Sequence, residues 1–434
     1  MDLRATEGVA SRFDAYIRHL RGAVGHADRR EPLAAYCAGL LLPGERKSVE
    51  PMAARLAPGE VSAKHQSLHH FVAKAPWEEG ALLGAVGTFV LPKMEDAAPI
   101  RAWIIDDTGI PKKGKHSVGV ARQYCGELGK QDNCQVAVTL SVASDQASLP
   151  IAFQLYLPES WACDRERRRK AGVPDEISFK TKPQIALDQL RQAIADGIPQ
   201  GVVLSDAGYG NDTAFRSGVS DLGLSYVVGV QGSTAVWAPG TAPQPAKPWS
   251  GQGRPPKLLR RDGEKPIKVS DFAKVLPRKA WKTVRWREGS NGALVSRFAA
   301  VRIRPSHRDT WRSEPWPEEW LLIEWPKTEE VPAKYWLSTL PANTPLQKLV
   351  ETAKLRWRIE RDFQDLKQEI GLDHYEGRGW RGFHHHAALS IAAYGFLVAE
   401  RSPIPPSGPF IQAFFAQVPA RNETYRPRGA AASA

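Results

Sequence analysis

The chain has 434 residues, 42% of them hydrophobic and 24% charged, and its 59 Lys+Arg against 47 Asp+Glu leave a net charge of +12. Such a length can bury a large core in two or three domains, which excludes a peptide-sized binding module. The basic excess calls for a polyanionic partner, either nucleic acid or an anionic membrane.

The opening residues "MDLRATEGVA" lack the apolar core of a signal peptide, so a cytoplasmic protein is expected. Residues 1–95 read as a helical DNA-binding domain. Phe13, Ile17 and Leu20 recur at helical spacing, and "EPLAAYCAGLLL" continues the pattern. In "RKSVEPMAARLAPGEVSAKHQSLHHFVAKA" one amphipathic helix ends at Pro58-Gly59 and a second begins near Ser62. This pair resembles a helix-turn-helix with residues 63–74 as recognition helix, carrying Lys64, Gln66 and His69 toward DNA. Any helical hairpin has the same pattern.

Residues 96–231 alternate strands and helices. "IRAWIIDDTGI", "CQVAVTLSVAS" and "LPIAFQLYLP" are β-branched and apolar, the last two spaced as a hairpin. The amphipathic "KPQIALDQLRQAIADG" follows, then the strand "GVVLSDAGYG", a helical "DTAFRSGVSDLG" and the strand "LSYVVGVQ". Three strands, helix, strand, helix, strand is the order of an α/β, RNase H-like mixed sheet. The helix that should complete it is delayed by residues 232–335, which read as an all-β insertion subdomain. Residues 336–401 then supply it as one long helix over 345–371, and 402–434 reads as a flexible tail.

Four cysteines, Cys37, Cys125, Cys134 and Cys163, form no CxxC pair and read as reduced core thiols. The run His384–His386 points three ways on a helix, so packing is expected rather than a shared metal site. "ALSIAAYGFLVA" at 388–399 is shorter than the roughly 20 residues that span a bilayer, and no membrane role is expected.

Two carboxylate positions fall where this topology places chemistry. Asp106-Asp107 end the first strand, and Asp206 ends the strand predicted to lie beside it. A helix crossing that edge adds Glu360, giving three hard oxygen donors of the kind that hold two Mg2+ ions for phosphodiester hydrolysis and transesterification. Residues 254–288 carry twelve Lys/Arg against four Asp/Glu, with Arg260, Arg261, Lys279 and Lys282 as candidate phosphate contacts. A solvated face of the inserted sheet is the competing reading, as it is for the loop patch "DRERRRK" at 164–170.

The order Asp107, Asp206, Glu360, with Arg356 four before the glutamate and Lys367 seven after it, resembles the DDE-type bacterial insertion-sequence transposases. Within these it is similar to the group with a Tyr-x2-Arg-x3-Glu-x6-Lys signature and a β insertion before the glutamate helix. "WRIE", "IIDDTG" and "KKGKHSVGVARQYCG" carry the same likeness. The resemblance implies that Asp107, which precedes Thr108, is the first metal ligand. It implies that Arg356, Lys367 and neighbouring Trp357 contact DNA, and that Mg2+, replaceable by Mn2+, serves as cofactor. It further implies terminal inverted repeats and target DNA as partners, and a homodimer in the DNA complex. The signature tyrosine is replaced by Ala353. The alternative is a domesticated, non-cutting DNA-binding protein of transposase descent. A glycosidase leaves the basic excess unexplained, and a tyrosine recombinase fails because the His-x-x-Arg, His26 to Arg29, lies in the N-terminal helical region.

Overall fold

The computed structural model describes residues 8–289 and 292–402; the tail from 403 onward lies outside them. The chain begins with helices α1 Val9–Leu20, α2 Arg30–Leu41, α3 Val49–Leu56, α4 Val61–Ala73 and α5 Glu79–Ala97. Strands β1 Ala102–Pro111, β2 Ala121–Cys125, β3 Lys130–Ala143 and β4 Ser148–Leu155 follow, then the short helices α6 Glu159–Ala162 and α7 Arg165–Ala171. Next come α8 Lys182–Ala195, β5 Val202–Ser205, the single turn α9 Ala207–Gly210, α10 Thr213–Asp221 and β6 Tyr226–Val230. Helix α8 starts where it does because Thr181 and Gln184 form a capping box, each side chain bonding the other's backbone N–H.

β1 runs antiparallel to β3 and parallel to β5, and β5 is parallel to β6. β3 also pairs antiparallel with β4. The result is a mixed α/β fold on one large mixed sheet, consistent with an RNase H-like core. Strand β2, inside the run "KKGKHSVGVARQYCG", pairs the start of β3.

The region expected as an all-β insertion is neither separate nor purely β. It comprises β7 Ala235–Trp237, β8 Ile267–Lys268, helix α11 Val269–Val275, β9 Lys282–Gly289, β10 Gly292–Pro305, β11 Glu319–Trp325 and β12 Lys334–Ser338. β12 pairs β6, and β11 and β10 follow in turn, so the main sheet continues through this region. Helix α11 forms because Val269, Phe272 and Ala273 bury one face.

The long helix expected over 345–371 is broken. α12 Leu346–Lys354 stops, α13 Trp357–Asp365 begins two residues later, and a π turn runs over Leu366–Ile370. At the break Leu355 N–H bonds the carbonyls of both Glu351 and Thr352, and Ile359 N–H bonds Arg356 three residues back. The Thr352 hydroxyl donates to the Lys348 carbonyl at 2.8 Å, a back-bond that bends helices. Gly371, at φ 83°, closes the π turn in the left-handed region that suits glycine.

The last helix, α14 Trp380–Arg401, is buried on all sides from Gly382 to Ala399. It sits between the sheet and the N-terminal helices, and their side chains share one core. Tyr16 donates to the Ala392 carbonyl at 2.7 Å, Tyr36 meets His386 Nδ1 at 2.9 Å, and Arg12 pairs with Glu400 at 2.7 Å. The break expected near residue 95 is therefore not a break in the core. His384, His385 and His386 are all buried and hydrogen-bonded to backbone atoms of Trp380 and Leu155, of Val72 and Trp77, and of Gly371. Cys37, Cys125 and Cys134 are buried, but Cys163, expected in the core, is exposed. No helix among the described residues is long and apolar enough to cross a membrane.

Two outcomes are expected. Residues 1–95 expressed alone lack the helix that covers Tyr16, Leu33, Phe71 and Val86, and should show no cooperative thermal transition by circular dichroism; a sharp two-state melt would refute the shared core. Burial pushes the pKa of His385 and His386 down to about 4. Between the ordinary histidine value of about 6.5 and about 4 the unfolded chain binds more protons, so these groups withdraw stability as pH falls through that window. His386→Gln should flatten this part of the pH dependence of the urea midpoint.

Candidate active site

β1 lies inside the sheet with both faces covered, and its side chains alternate between them. Ala102 and Ile104 pack into the cluster formed with Leu349, Val350, Ala353 and Ile359 of α12 and α13. Trp103 and Ile105 belong to the core on the opposite face, with Ile185 and Leu190 of α8. Continuing the alternation sends Asp106 to the α13 face and Asp107 to the α8 face.

The contacts agree. Arg356 Nη1 donates to Asp106 Oδ2 at 2.6 Å, and Arg356 Nη2 donates to Glu360 Oε1 at 2.6 Å. Asp107 Oδ2 instead accepts from Lys182 Nζ at 2.6 Å. Of the two aspartates the structure thus joins Asp106 to Glu360. Asp107, expected as the first metal ligand, pairs with Lys182 on the other face of β1, since a one-residue step along a strand reverses the face.

Asp206 follows β5. In the parallel register Ile104 lies opposite Leu204, so two residues further Asp106 and Asp206 are level and on the same face. Asp206 caps α9, its Oδ1 accepting from Gly208 N–H at 2.8 Å. This turn seats directly on β6, because a Cβ on Gly210 would lie 1.9 Å from the Gly229 carbonyl oxygen. Burial, with the nearby Asp206 and Asp107 carboxylates, pushes Asp106 up to about 7 against the opposing pull of Arg356. Asp106, Asp206 and Glu360 all act to keep Arg356 charged.

The break between α12 and α13 positions this cluster. Arg356 stands at the start of α13 and reaches β1, while Glu360, one turn on, has a side chain 61% exposed and open to an incoming molecule. Lys367, expected on the same row, is turned aside: its Nζ donates to the Gly109 carbonyl and to Glu127, both at 2.7 Å. Asp362, on the buried face of α13, accepts from Ser148 at 2.5 Å and Tyr394 at 2.9 Å and fixes the helix rotation.

A cleft of about 440 Å3 opens beside Asp206, Arg356 and Glu360, lined also by Trp286, Trp336, Trp357 and Lys354. Arg287 stacks over the Trp357 ring at 3.7 Å. Ala353 lines the same cleft, so the small residue at the signature's tyrosine position leaves space there. Lys354, given no role from sequence, pairs with Glu324 at 2.6 Å and lies 4.7 Å from the Trp286 ring centre. Lys182, also missed, starts α8 far from any charged motif, and its partnership with Asp107 follows only from strand parity.

Away from this cleft, Gln66 and His69 are exposed on α4, and His69 stacks with His65. Lys64 is instead paired with Glu31 at 2.7 Å. In the inserted region Lys279 and Lys282 are exposed. Arg261 pairs with the fully buried Asp309 at 2.7 Å, and Arg260 pairs with Asp262. Arg261 thus acts as a structural tie. In the 164–170 patch Arg167 stacks on Trp161 at 3.8 Å and Arg168 bonds the carbonyls of Ala162 and Pro174.

The donors fit a hard divalent cation in kind: three carboxylates, one deeply buried and short of positive charge. No three His, Cys, Asp or Glu side chains among the described residues are gathered tightly enough to enclose an ion. The Arg356 guanidinium stands between two of the carboxylates.

Comparison with known proteins bears on this arrangement. The family described as DDE superfamily endonuclease matches residues 19–293, which include Asp106, Asp107 and Asp206 and stop short of Glu360. A probable transposase for insertion sequence element IS701 from Microchaete diplosiphon is 34% identical over 167 residues. That alignment covers 38% of this chain and 40% of the relative. With a sheet consistent with an RNase H-like core, and a family match over more than half its length, the chain belongs to the DDE superfamily of endonucleases.

Proposed function

We propose that the chain is an insertion-sequence transposase that binds terminal inverted repeats and performs Mg2+-dependent strand cleavage and transfer by cut and paste, two copies serving the two ends. The observation that carries this reading is that Arg356 bridges Asp106 and Glu360, with Asp206 close to it, beside a cleft walled by basic and aromatic side chains. In this reading Asp106, not Asp107, is the first metal donor, with Asp206 and Glu360 as the others, and Mn2+ can replace Mg2+. Bound there, divalent ions supply the Lewis acid that activates the attacking oxygen and stabilises the leaving one.

The rest falls to the chain. Asp206 is held by the backbone N–H of Gly208 and needs no reorientation. Arg287, Lys334 and Lys354 along the cleft attract the phosphodiester, and the tryptophan planes suit unstacked bases. Helix α4 offers Gln66 and His69 to base edges in the major groove, while Lys279 and Lys282 hold phosphates further out. The helical region, the two parts of the core and the inserted strands then act as one DNA-binding body.

Two experiments test the assignments. Asp106→Asn should lower strand cleavage by at least about 100-fold, as loss of a charge-stabilising group does, with DNA binding retained. Asp107→Asn loosens the partly exposed Lys182 pair and should cost about 1 kcal/mol or less of stability, with cleavage largely intact. A dead Asp107 variant beside an active Asp106 variant reverses the assignment. Separately, Lys279→Gln with Lys282→Gln should flatten the slope of log K against log salt by about 1.8, two phosphate contacts at about 0.9 each. Arg261→Gln should leave that slope alone and instead lower stability by about 1–3 kcal/mol, because it strips a partner from buried Asp309.

A further inference from the structure

Arg356 makes two short charge-assisted bonds, both 2.6 Å, to carboxylates on different elements: Asp106 on β1 and Glu360 on α13. Asp206 is near enough to add to its charge stabilisation. One guanidinium therefore faces three carboxylates. It is planar, always charged and able to fork between two acceptors. Its side chain is 26% exposed and lines the same cleft that reaches Asp206 and Glu360, so a phosphate entering there meets it.

From this we infer that Arg356 is the residue that makes metal loading depend on DNA. In the DNA-free protein it serves as the resident cation of the site, bridging Asp106 and Glu360 and leaving no three donors gathered for an ion. A guanidinium drawn onto a backbone phosphate cannot keep both carboxylate bonds. Its departure leaves three carboxyl groups with no resident cation, and a divalent ion then has no guanidinium to displace. Coupling of this kind is reciprocal: if DNA strengthens metal binding, metal strengthens DNA binding by the same factor. A site loaded only on DNA does not present a charged metal centre to free nucleotides or water. Lys367 is restrained in parallel, since it too is paired with an acid, Glu127, rather than free for a phosphate.

The inference rests on the reading of Asp106, Asp206 and Glu360 as metal donors, and the experiment separates the two. Mn2+ binding to the full-length, DNA-free protein is measured by electron paramagnetic resonance titration, with folding followed by thermal melting. Arg356→Gln should bind Mn2+ about tenfold more tightly than the unsubstituted protein, within the roughly 5–150-fold range common for coupled sites. Arg356→Lys, which keeps a point charge but loses the fork, should fall between them and carries the test if the glutamine variant does not fold. Adding Asp106→Asn or Glu360→Gln to either variant should abolish the gain. Equal or weaker Mn2+ affinity in a folded Arg356 variant overturns the inference while leaving the donors standing. Mn2+ binding indifferent to both Asp106→Asn and Glu360→Gln overturns the donor reading and the inference with it.

Discussion

Because β1 is covered on both faces, each of its residues belongs wholly to one side, and the rest of the site depends on that constraint. Ile104 packs against α12 and α13, Ile105 against the α8 side, and the same alternation carries into the two aspartates that follow. Had the strand lain at an edge, a bulge could have let both carboxylates lean toward α13. Here the β3 ladder runs without a register shift from Ala102 to Pro111, and β5 pairs the other side over Ala102–Ile104. Asp106 and Asp107 are thus neighbours in sequence with different partners, Arg356 for one and Lys182 for the other.

Charge balance decides how the site rests. Burial and two adjacent carboxylates lift Asp106 to about 7, which marks a cluster with more negative charge than its surroundings support. A cation beside such a cluster offsets the cost of leaving a buried charge uncompensated. The chain supplies that cation itself from the first turn of α13. The break in the helix matters for this reason: a straight helix over 345–371 would carry Arg356 on the cylinder of α12, whereas the bend at Thr352–Arg356 starts a new segment aimed at the end of β1.

Much of this was legible in the sequence, and the misses share a cause. Strand order, the capped α8, the Asp206 position and the Arg356–Glu360 spacing all follow from local patterns: hydrophobic period, caps and i,i+4 geometry. That Arg356 bonds Asp106 and not Asp107 was not legible, because both faces of β1 are apolar and the pattern cannot say which face meets α13. The helix break depended on tight local bonding around Thr352 that no composition signals. The inserted region read as separate because its strands are short and rich in Trp, yet β12 extends the main sheet by pairing β6, a contact more than 100 residues apart in sequence. Arg261 looked like a phosphate contact until Asp309, buried beneath it, gave it a structural partner.

The buried helix α14 links the N-terminal helices to the segment that carries Glu360. It packs against α2, α4 and α5 on one side and against β4 on the other, and Tyr394 reaches from it to Asp362, two residues past Glu360. From the other direction the Lys47 ammonium, buried before α3, bonds the carbonyls of Leu40 in α2 and Glu369 in the π turn that ends the Glu360 segment. Closely packed interiors transmit displacement instead of absorbing it. A displacement of α3 or α4 therefore has two short paths to α13, one through Lys47 and one through Tyr394. The β3 ladder holds Asp106 in place, and Lys367 ties the π turn to the Gly109 carbonyl of β1. Motion of α13 against β1 therefore loads two contacts, the Lys367–Gly109 bond and the Arg356 bridge between Asp106 and Glu360.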